Sequence, residues 1–256
     1  MTKSDAIAIV LSGAAMAVSS YAVLKPVHPA PAAPAAIVAG PGAISPDAAW
    51  AALMQKPEML GDLVKSYQIK VADTTRSASV QAVDAALPEI FRAGDPFLGK
   101  PDAPRRIAVF FDYQCPHCRE AEPALRKAVA DDPGLAVVMR EFPVLGSASV
   151  LASRAALAAK AQGLYVPMHD ALINQPLPLT AAKIEDAARA AGVDLARMNV
   201  DMSSDDIGRD IEASLALARR LDIQGTPSFV GRSVGTLVGY GNDGRFADFI
   251  AHVKAD

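Results

Sequence analysis

Residues 107–118 read Ile-Ala-Val-Phe-Phe-Asp-Tyr-Gln-Cys-Pro-His-Cys, an apolar run that leads into two cysteines on one turn of chain. Ile107 to Phe111 is the kind of short apolar stretch found in a strand buried on both faces. Cys115-Pro116-His117-Cys118 follows at once, and the alanine- and glutamate-rich residues after it predict a helix that the motif opens. Cysteines spaced this way on a first helical turn face the same side, and their backbone spacing accepts a disulfide of ordinary geometry. Proline in that turn removes an amide that would lack a partner, and leaves the other free amides and the positive helix end beside the first sulfur. A thiolate at Cys115 is thereby stabilised. An imidazolium at His117 would lower its pKa further, and a stabilised dithiol makes the disulfide oxidising. On this reading an exposed Cys115 exchanges with a substrate sulfur through a mixed disulfide, and a less exposed Cys118 resolves it. Plainer readings of the pair are a structural disulfide, a metal site or two inert thiols. A bridge across one turn restricts the unfolded chain little, and His117 with the distant His28, His169 and His252 makes a poor tetrahedral set. Those three histidines read as linker, helix and surface residues respectively.

Outward from the motif the pattern is α/β. Leu135 to Met139 is a second buried-strand candidate, Ser228-Phe229-Val230 a third and Thr236 to Tyr240 a fourth, with Phe246 to Val253 as a closing helix. Between the second and third strands lies a long helical insertion, about 147–222, in which Ile207, Ile211, Leu215, Ala218 and Leu221 form one stripe. Gln224-Gly225-Thr226-Pro227 is a Gly-x-Pro turn entering the third strand, and by itself it reads as a loop. No internal repeat is visible.

The 256 residues are 51% apolar and 21% charged, enough for one substantial core, which excludes a wholly disordered chain. A net charge of -3 with no local Lys/Arg cluster argues against nucleic acid as a partner. Two cysteines exclude a disulfide-dense scaffold and an all-cysteine zinc site. Ala6 to Leu24 carries no charge and, at about 1.5 Å per residue, is long enough to cross a bilayer, so residues 1–25 read as a signal anchor or signal peptide, the retained anchor being favoured. Residues 26–45 are rich in proline and alanine and read as a semi-rigid linker. From 46 to 95 a helical stalk is expected. Trp50, Leu53, Leu60, Val64 and Tyr67 fall on helical spacing with a break at Pro57, and after the polar stretch Thr74 to Ser79 a second short stripe runs through Val80, Val83, Leu87 and Ile90. Such a stalk either packs on the main domain, 96–256, or joins copies of itself into a homo-oligomer through residues 46–91.

Taken together, the apolar strand, Cys-Pro-His-Cys opening a helix and Gly-Thr-Pro opening a late strand resemble the thioredoxin fold as elaborated in the DsbA-like thiol-disulfide oxidoreductases. Phe110-Phe111-Asp112-Tyr113-Gln114, Arg140-Glu141-Phe142-Pro143-Val144-Leu145-Gly146 and Ala152 to Ala159 look most like the copper-sensitivity suppressor ScsC subgroup. The likeness covers about residues 86–256 and, more loosely, residues 56–60, where that subgroup carries an oligomerisation element. It implies a thioredoxin core interrupted by a helical insertion, with Thr226-Pro227 cis against Cys115 and the Thr226 backbone pairing with a substrate strand. The implied site is thus Cys115, Cys118, His117, Pro116, Thr226 and Pro227, with the redox-active Cys115–Cys118 disulfide in place of any cofactor and no metal. One position departs from the family: an acidic residue commonly stands under the site where this chain has Val109, which leaves the proton route to Cys118 open. Pro123 falls inside the active-site helix and is expected to kink it.

The expected function is a periplasmic thiol-disulfide oxidoreductase that forms or isomerises protein disulfides, tethered to the inner membrane by residues 6–24. Its partners would be cysteine-containing substrate proteins and a membrane or periplasmic redox partner. Competing classes are a copper- or zinc-handling protein using the same two sulfurs and a membrane-tethered interaction module with an idle fold. An oxidising couple would be held idle in a reducing cytosol, which is why the oxidising side of the membrane is expected.

Overall fold

The computed structural model describes residues 45–255. The N-terminal segment 1–25 and all but the end of the 26–45 linker lie outside the described residues. What is described falls into two compact units, one ending at Gly61 and one spanning Asp62–Asp256. Among the described residues no helix is long and apolar enough to cross a membrane.

Helix α1, Pro46–Gln55, is opened by Ser45, whose hydroxyl accepts from the Ala48 amide at 3.1 Å, with Pro46 at the first helical position. It stops before Pro57, as the missing amide of proline requires. Helix α2 then runs unbroken from Glu58 to Ile90. The polar stretch Thr74 to Ser79, which lies between the two apolar stripes, does not interrupt it. Thr74 donates back to the Lys70 carbonyl at 2.8 Å within the helix, and Ser79 accepts from the Thr236 amide at 3.0 Å, so these hydroxyls do not compete with the helical ladder. Here the helix and sheet come very close: a Cβ on Gly235, at φ +75°, would stand 2.8 Å from the Ser79 hydroxyl. The two apolar stripes of α2 have different fates. Val83 and Ile90 are fully buried, whereas Leu60, Val64 and Tyr67 are 54%, 46% and 67% exposed.

The sheet has five strands in the order β1-β3-β2-β4-β5. These are β1 Phe97–Gly99, β2 Arg105–Phe111, β3 Leu135–Glu141, β4 Ser228–Gly231 and β5 Gly235–Val238. β2 and β3 are parallel, and the other pairings are antiparallel. The alternation of side chains across a strand divides the core in two. Ile107, Val109 and Phe111 of β2, with Val137 and Met139 of β3, face one cluster. Ala108, Phe110 and Val138 face the other, where Val83, Ile90, Leu217 and Ala218 cover them.

On the first face lie α3 Pro116–Asp131 and helices of the insertion, which comprises α4 Ser147–Lys160, α5 Tyr165–Ile173, α6 Ala181–Ala190, α7 Leu195–Asp201 and α8 Asp205–Arg220. The closing helix α9, Arg245–His252, buries Phe246 and Phe249. Pro123 sits inside α3 without ending it. β3 also extends two residues past the apolar run, burying Arg140 and Glu141.

Candidate active site

β2 delivers the chain to the motif. Beyond Phe111, the buried Asp112 accepts from the amides of Gln114 (2.8 Å), Val144 (2.8 Å) and Leu145 (3.0 Å), which clips the end of β2 to the loop before α4. The Gln114 side chain accepts from the Leu179 amide at 2.9 Å. Arg119 donates to the carbonyls of Tyr113, Ile173 and Gln175, so the first turn of α3 is tied to the end of α5. Burial of that guanidinium is tolerated because its donors all meet oxygen.

Cys115 is the N-cap of α3 and Pro116 its first helical residue, so the sulfur stands at the open amide end of the helix. Its pKa is lowered to about 5. The largest cause is a hydrogen bond from the Cys118 thiol; burial opposes it, and the Thr226 side chain and the backbone amides of Cys118 and His117 add to it. Cys118 goes the other way. Burial, then its bond to the Cys115 sulfur, pushes it far above the ordinary thiol range. Both thiols are free.

One expectation needs correction: Cys115 is not exposed, at 5% against 4% for Cys118. Burial still separates the two sulfurs, being the largest influence on Cys118 and outweighed by hydrogen bonding at Cys115. His117 is exposed, and its Nδ1 lies 2.9 Å from Glu120 Oε2, which raises its pKa. The charge of Cys115 is the smallest named influence on His117, and such coupling is reciprocal, so the imidazolium is a minor support for the thiolate. The His117 amide acts on Cys115 directly.

The Thr226–Pro227 peptide is cis, and the Cys115 sulfur lies 3.3 Å from the Thr226 carbonyl oxygen. Residues far apart in the sequence, Cys115, Cys118, Thr226 and Pro227, are therefore gathered at one point. Behind them is a network that sequence reading missed. Glu141 accepts from Ser153 (2.6 Å), Tyr165 (2.7 Å) and Tyr113 (3.4 Å), and burial pushes its pKa up to about 8. The Tyr113 hydroxyl also meets His169 Nδ1 at 3.0 Å. His169, on α5 as a helical residue should be, is completely buried, with its ring stacked on Tyr165.

Glu122, His169 and Asp170 bring one potential metal-ligand atom each within 4.8 Å of one another. Arg126 already bridges the two carboxylates, bonding Glu122 Oε1 at 2.6 Å and pairing with Asp170, so both already have a cationic partner.

A dithiol at the start of the helix after the first parallel strand, closed over by a cis-proline loop, defines the site of a thioredoxin-fold redox protein. The chain belongs to the DSBA-like thioredoxin domain family, whose model matches residues 106–250. It is similar to the Na(+)/H(+) antiporter NhaA 3 of Salinispora tropica, 30% identical over 137 residues; that match covers 51% of this chain and only 20% of the antiporter's length. Among solved structures, a thioredoxin-like oxidoreductase from Silicibacter pomeroyi DSS-3 is 34% identical at TM-score 0.61, over 64% of this chain and 95% of that one. The catalytic domain of Proteus mirabilis ScsC is 28% identical at TM-score 0.60, over 67% and 96%.

Proposed function

We propose that the protein exchanges disulfides with cysteine-containing proteins on the oxidising side of a membrane, the periplasm in a Gram-negative cell. Supporting this above all is the opposed pair of sulfurs, Cys115 held near pKa 5 and Cys118 held protonated by burial on the same turn. At neutral pH such a pair contains one nucleophile and one leaving group's acid form, which is what a mixed-disulfide cycle needs. Cys115 attacks or is attacked, and Cys118 opens or closes the internal bond. The Thr226 carbonyl, beside the sulfur, offers a backbone acceptor to an extended substrate strand.

Residues 6–24 would deliver the domain across the membrane and hold it there, and the proline-rich linker would carry it away from the bilayer. The exposed stripe Leu60, Val64 and Tyr67 favours association of copies through the stalk, an arrangement suited to isomerisation, where several active sites share one substrate.

Cys118→Ala should accumulate mixed disulfides with a cysteine peptide, and Cys115→Ala should form none. Wild-type protein should also reach a redox equilibrium with glutathione. Failure of Cys118→Ala to trap a peptide would reject disulfide exchange. Tight copper(I) binding that survives competition, with no glutathione equilibrium, would instead assign the two sulfurs to metal handling.

A further inference from the structure

Exchange at the motif moves a proton as well as a sulfur. When a substrate thiolate attacks Cys115 in the internal disulfide, the Cys115–substrate bond forms and the Cys115–Cys118 bond breaks. The substrate sulfur is oxidised and Cys118 leaves as a thiolate. In the reverse step Cys118 attacks Cys115, expels the substrate thiolate and must first lose its proton. The Cys118 sulfur is buried, so bulk water is a poor partner for either event.

Beneath that sulfur the sheet offers hydrocarbon. Val109 is 1% exposed, paired with Met139 on one side and Phe229 on the other. A small cavity of about 10 Å³, close to the space one water needs, is lined by Val109 and Pro227 together with Cys118, Glu122 and His169. The ionisable groups on that wall stand in an unusual relation. His169 Nε2 lies 3.3 Å from Glu122 Oε2, yet this buried nitrogen has no aligned hydrogen-bond partner. The Tyr113 hydroxyl can donate to Glu141, so its oxygen is free to accept from His169 Nδ1–H. That tautomer leaves the Nε2 lone pair turned toward the carboxylate. Two acceptors that close, shielded from bulk water, can share one proton between them.

We propose that Glu122 and His169 form the proton store for Cys118, giving up a proton when its thiolate is released and taking one back, through a water in the cavity, before it attacks. This rests on the exchange reading above. Electrons move only between sulfurs, and the single proton passes between Cys118 Sγ and the Glu122–His169 pair. The titratable groups around the pair are Arg126 on α3, Asp170 on α5 and, beyond Tyr113, Glu141 on β3, whose pKa burial raises to about 8. Cys118 faces Cys115 and the Thr226 side chain, and Arg119 is coupled to it by charge. β2 contributes the apolar Val109 and Phe111 to this cavity. Arg126, bonded to Glu122 Oε1 at 2.6 Å, aims that carboxylate, a positioning role.

The test is single-turnover resolution of a preformed Cys115–peptide mixed disulfide, followed from about pH 6 to 8, beside the rate at which Cys115 attacks a peptide disulfide in a Cys118→Ala background. Glu122→Gln keeps the shape and an oxygen for Arg126. It should slow resolution by on the order of 10²-fold and turn a shallow pH profile into one rising about tenfold per unit, with Cys115 attack unchanged. His169→Gln should shift resolution in the same direction. If either variant folds and resolves with wild-type rate and profile, the proposal is overturned. Should neither fold, the wild-type profile decides, since a rate that already rises tenfold per pH unit means that solvent hydroxide removes the proton. A chain that forms no mixed disulfide overturns the exchange reading and the proton store with it, whereas normal attack with unaltered resolution overturns the store alone.

Discussion

The Cys115 sulfur and the Thr226 carbonyl oxygen, 3.3 Å apart, join the start of α3 to the loop that enters β4. The side chain of the same threonine also lowers the pKa of both sulfurs. A hydrogen bond to an ionised group is worth about 1.5–3 kcal/mol, and about 1.4 kcal/mol equals one pKa unit. Thr226→Val, which keeps the shape and removes the hydroxyl, should therefore raise the Cys115 pKa by about one unit or more. Ultraviolet thiolate absorbance against pH measures it, and an unmoved titration would mean that the hydroxyl does not reach the sulfur.

His117→Ala should raise the Cys115 pKa by less than Thr226→Val does. Its ring is exposed and turned to Glu120, so solvent screens it, while its amide, which any residue would supply, remains. A larger shift than that of Thr226→Val would reverse this ranking.

The lowered thiol pKa also sets a pH dependence for the reduced protein. Cys115 titrates near 5 when folded and near the usual thiol value of about 8.5 when unfolded, so its contribution is complete above the unfolded value and is lost as pH falls through about 5. Cys118, raised by burial, works against folding only above the unfolded thiol value. Stability of the dithiol form relative to the disulfide form should consequently climb from about pH 5 to about pH 8 and then fall, as Cys118 ionises in the unfolded chain but not in the folded one. Urea midpoints of the two forms across that range check it; parallel curves would contradict the assigned thiolate.

The exposed stripe on α2 gives a prediction on mass. Leu60→Asp with Val64→Asp places charge where association through the stalk would bury apolar side chains. Light scattering should show an oligomer for the wild-type chain and a monomer for this variant, with Cys115 chemistry intact in both. A wild-type monomer at micromolar concentration would leave the stripe without a partner copy.

How much of this was legible beforehand follows from the range of the interactions involved. The strand-then-Cys-Pro-His-Cys pattern is local, and Ile107 to Phe111 and Pro116 onward fold as their periodicity and proline placement dictate. β1 was not legible because Phe97–Gly99 is too short to carry a period. The polar stretch within α2 gives no local sign that Thr74 and Ser79 find their partners at Lys70 and Thr236, the second of them visible only in three dimensions. Arg140 and Glu141 fall outside the apolar run Leu135 to Met139, and they are buried at the end of β3. His169 was read as a plain helical residue, since nothing in its neighbourhood of sequence announces Tyr113 or Glu122, which arrive from the β2–α3 loop and from α3. The Arg140-Glu141 segment and Tyr113 did lie in stretches that carried the family resemblance, and that was the available signal.

Arg140 supplies the last prediction. Its guanidinium, 2% exposed, donates to the Ile90 carbonyl at 2.6 Å and to that of Glu89, satisfying carbonyls that the end of α2 leaves without helical partners. It also pairs with the buried Asp95 at 2.9 Å, and burial lowers its pKa to about 10 without discharging it at neutral pH. One side chain thereby fastens the C-terminal end of α2 to β3. Arg140→Met retains most of the volume but leaves Asp95 with Arg92 alone and the two carbonyls without these donors. Removing one partner of a buried ion pair costs about 3–5 kcal/mol, so the denaturation midpoint should fall by a corresponding amount. Hydrogen exchange should localise the loss to the last turns of α2. Adding Asp95→Leu in the same chain should cost more rather than rescue, because Asp95 also accepts from the Arg92 amide at 3.0 Å and pairs with its guanidinium. A loss below about 1 kcal/mol for Arg140→Met would show that α2 is held by the burial of Val83 and Ile90 alone.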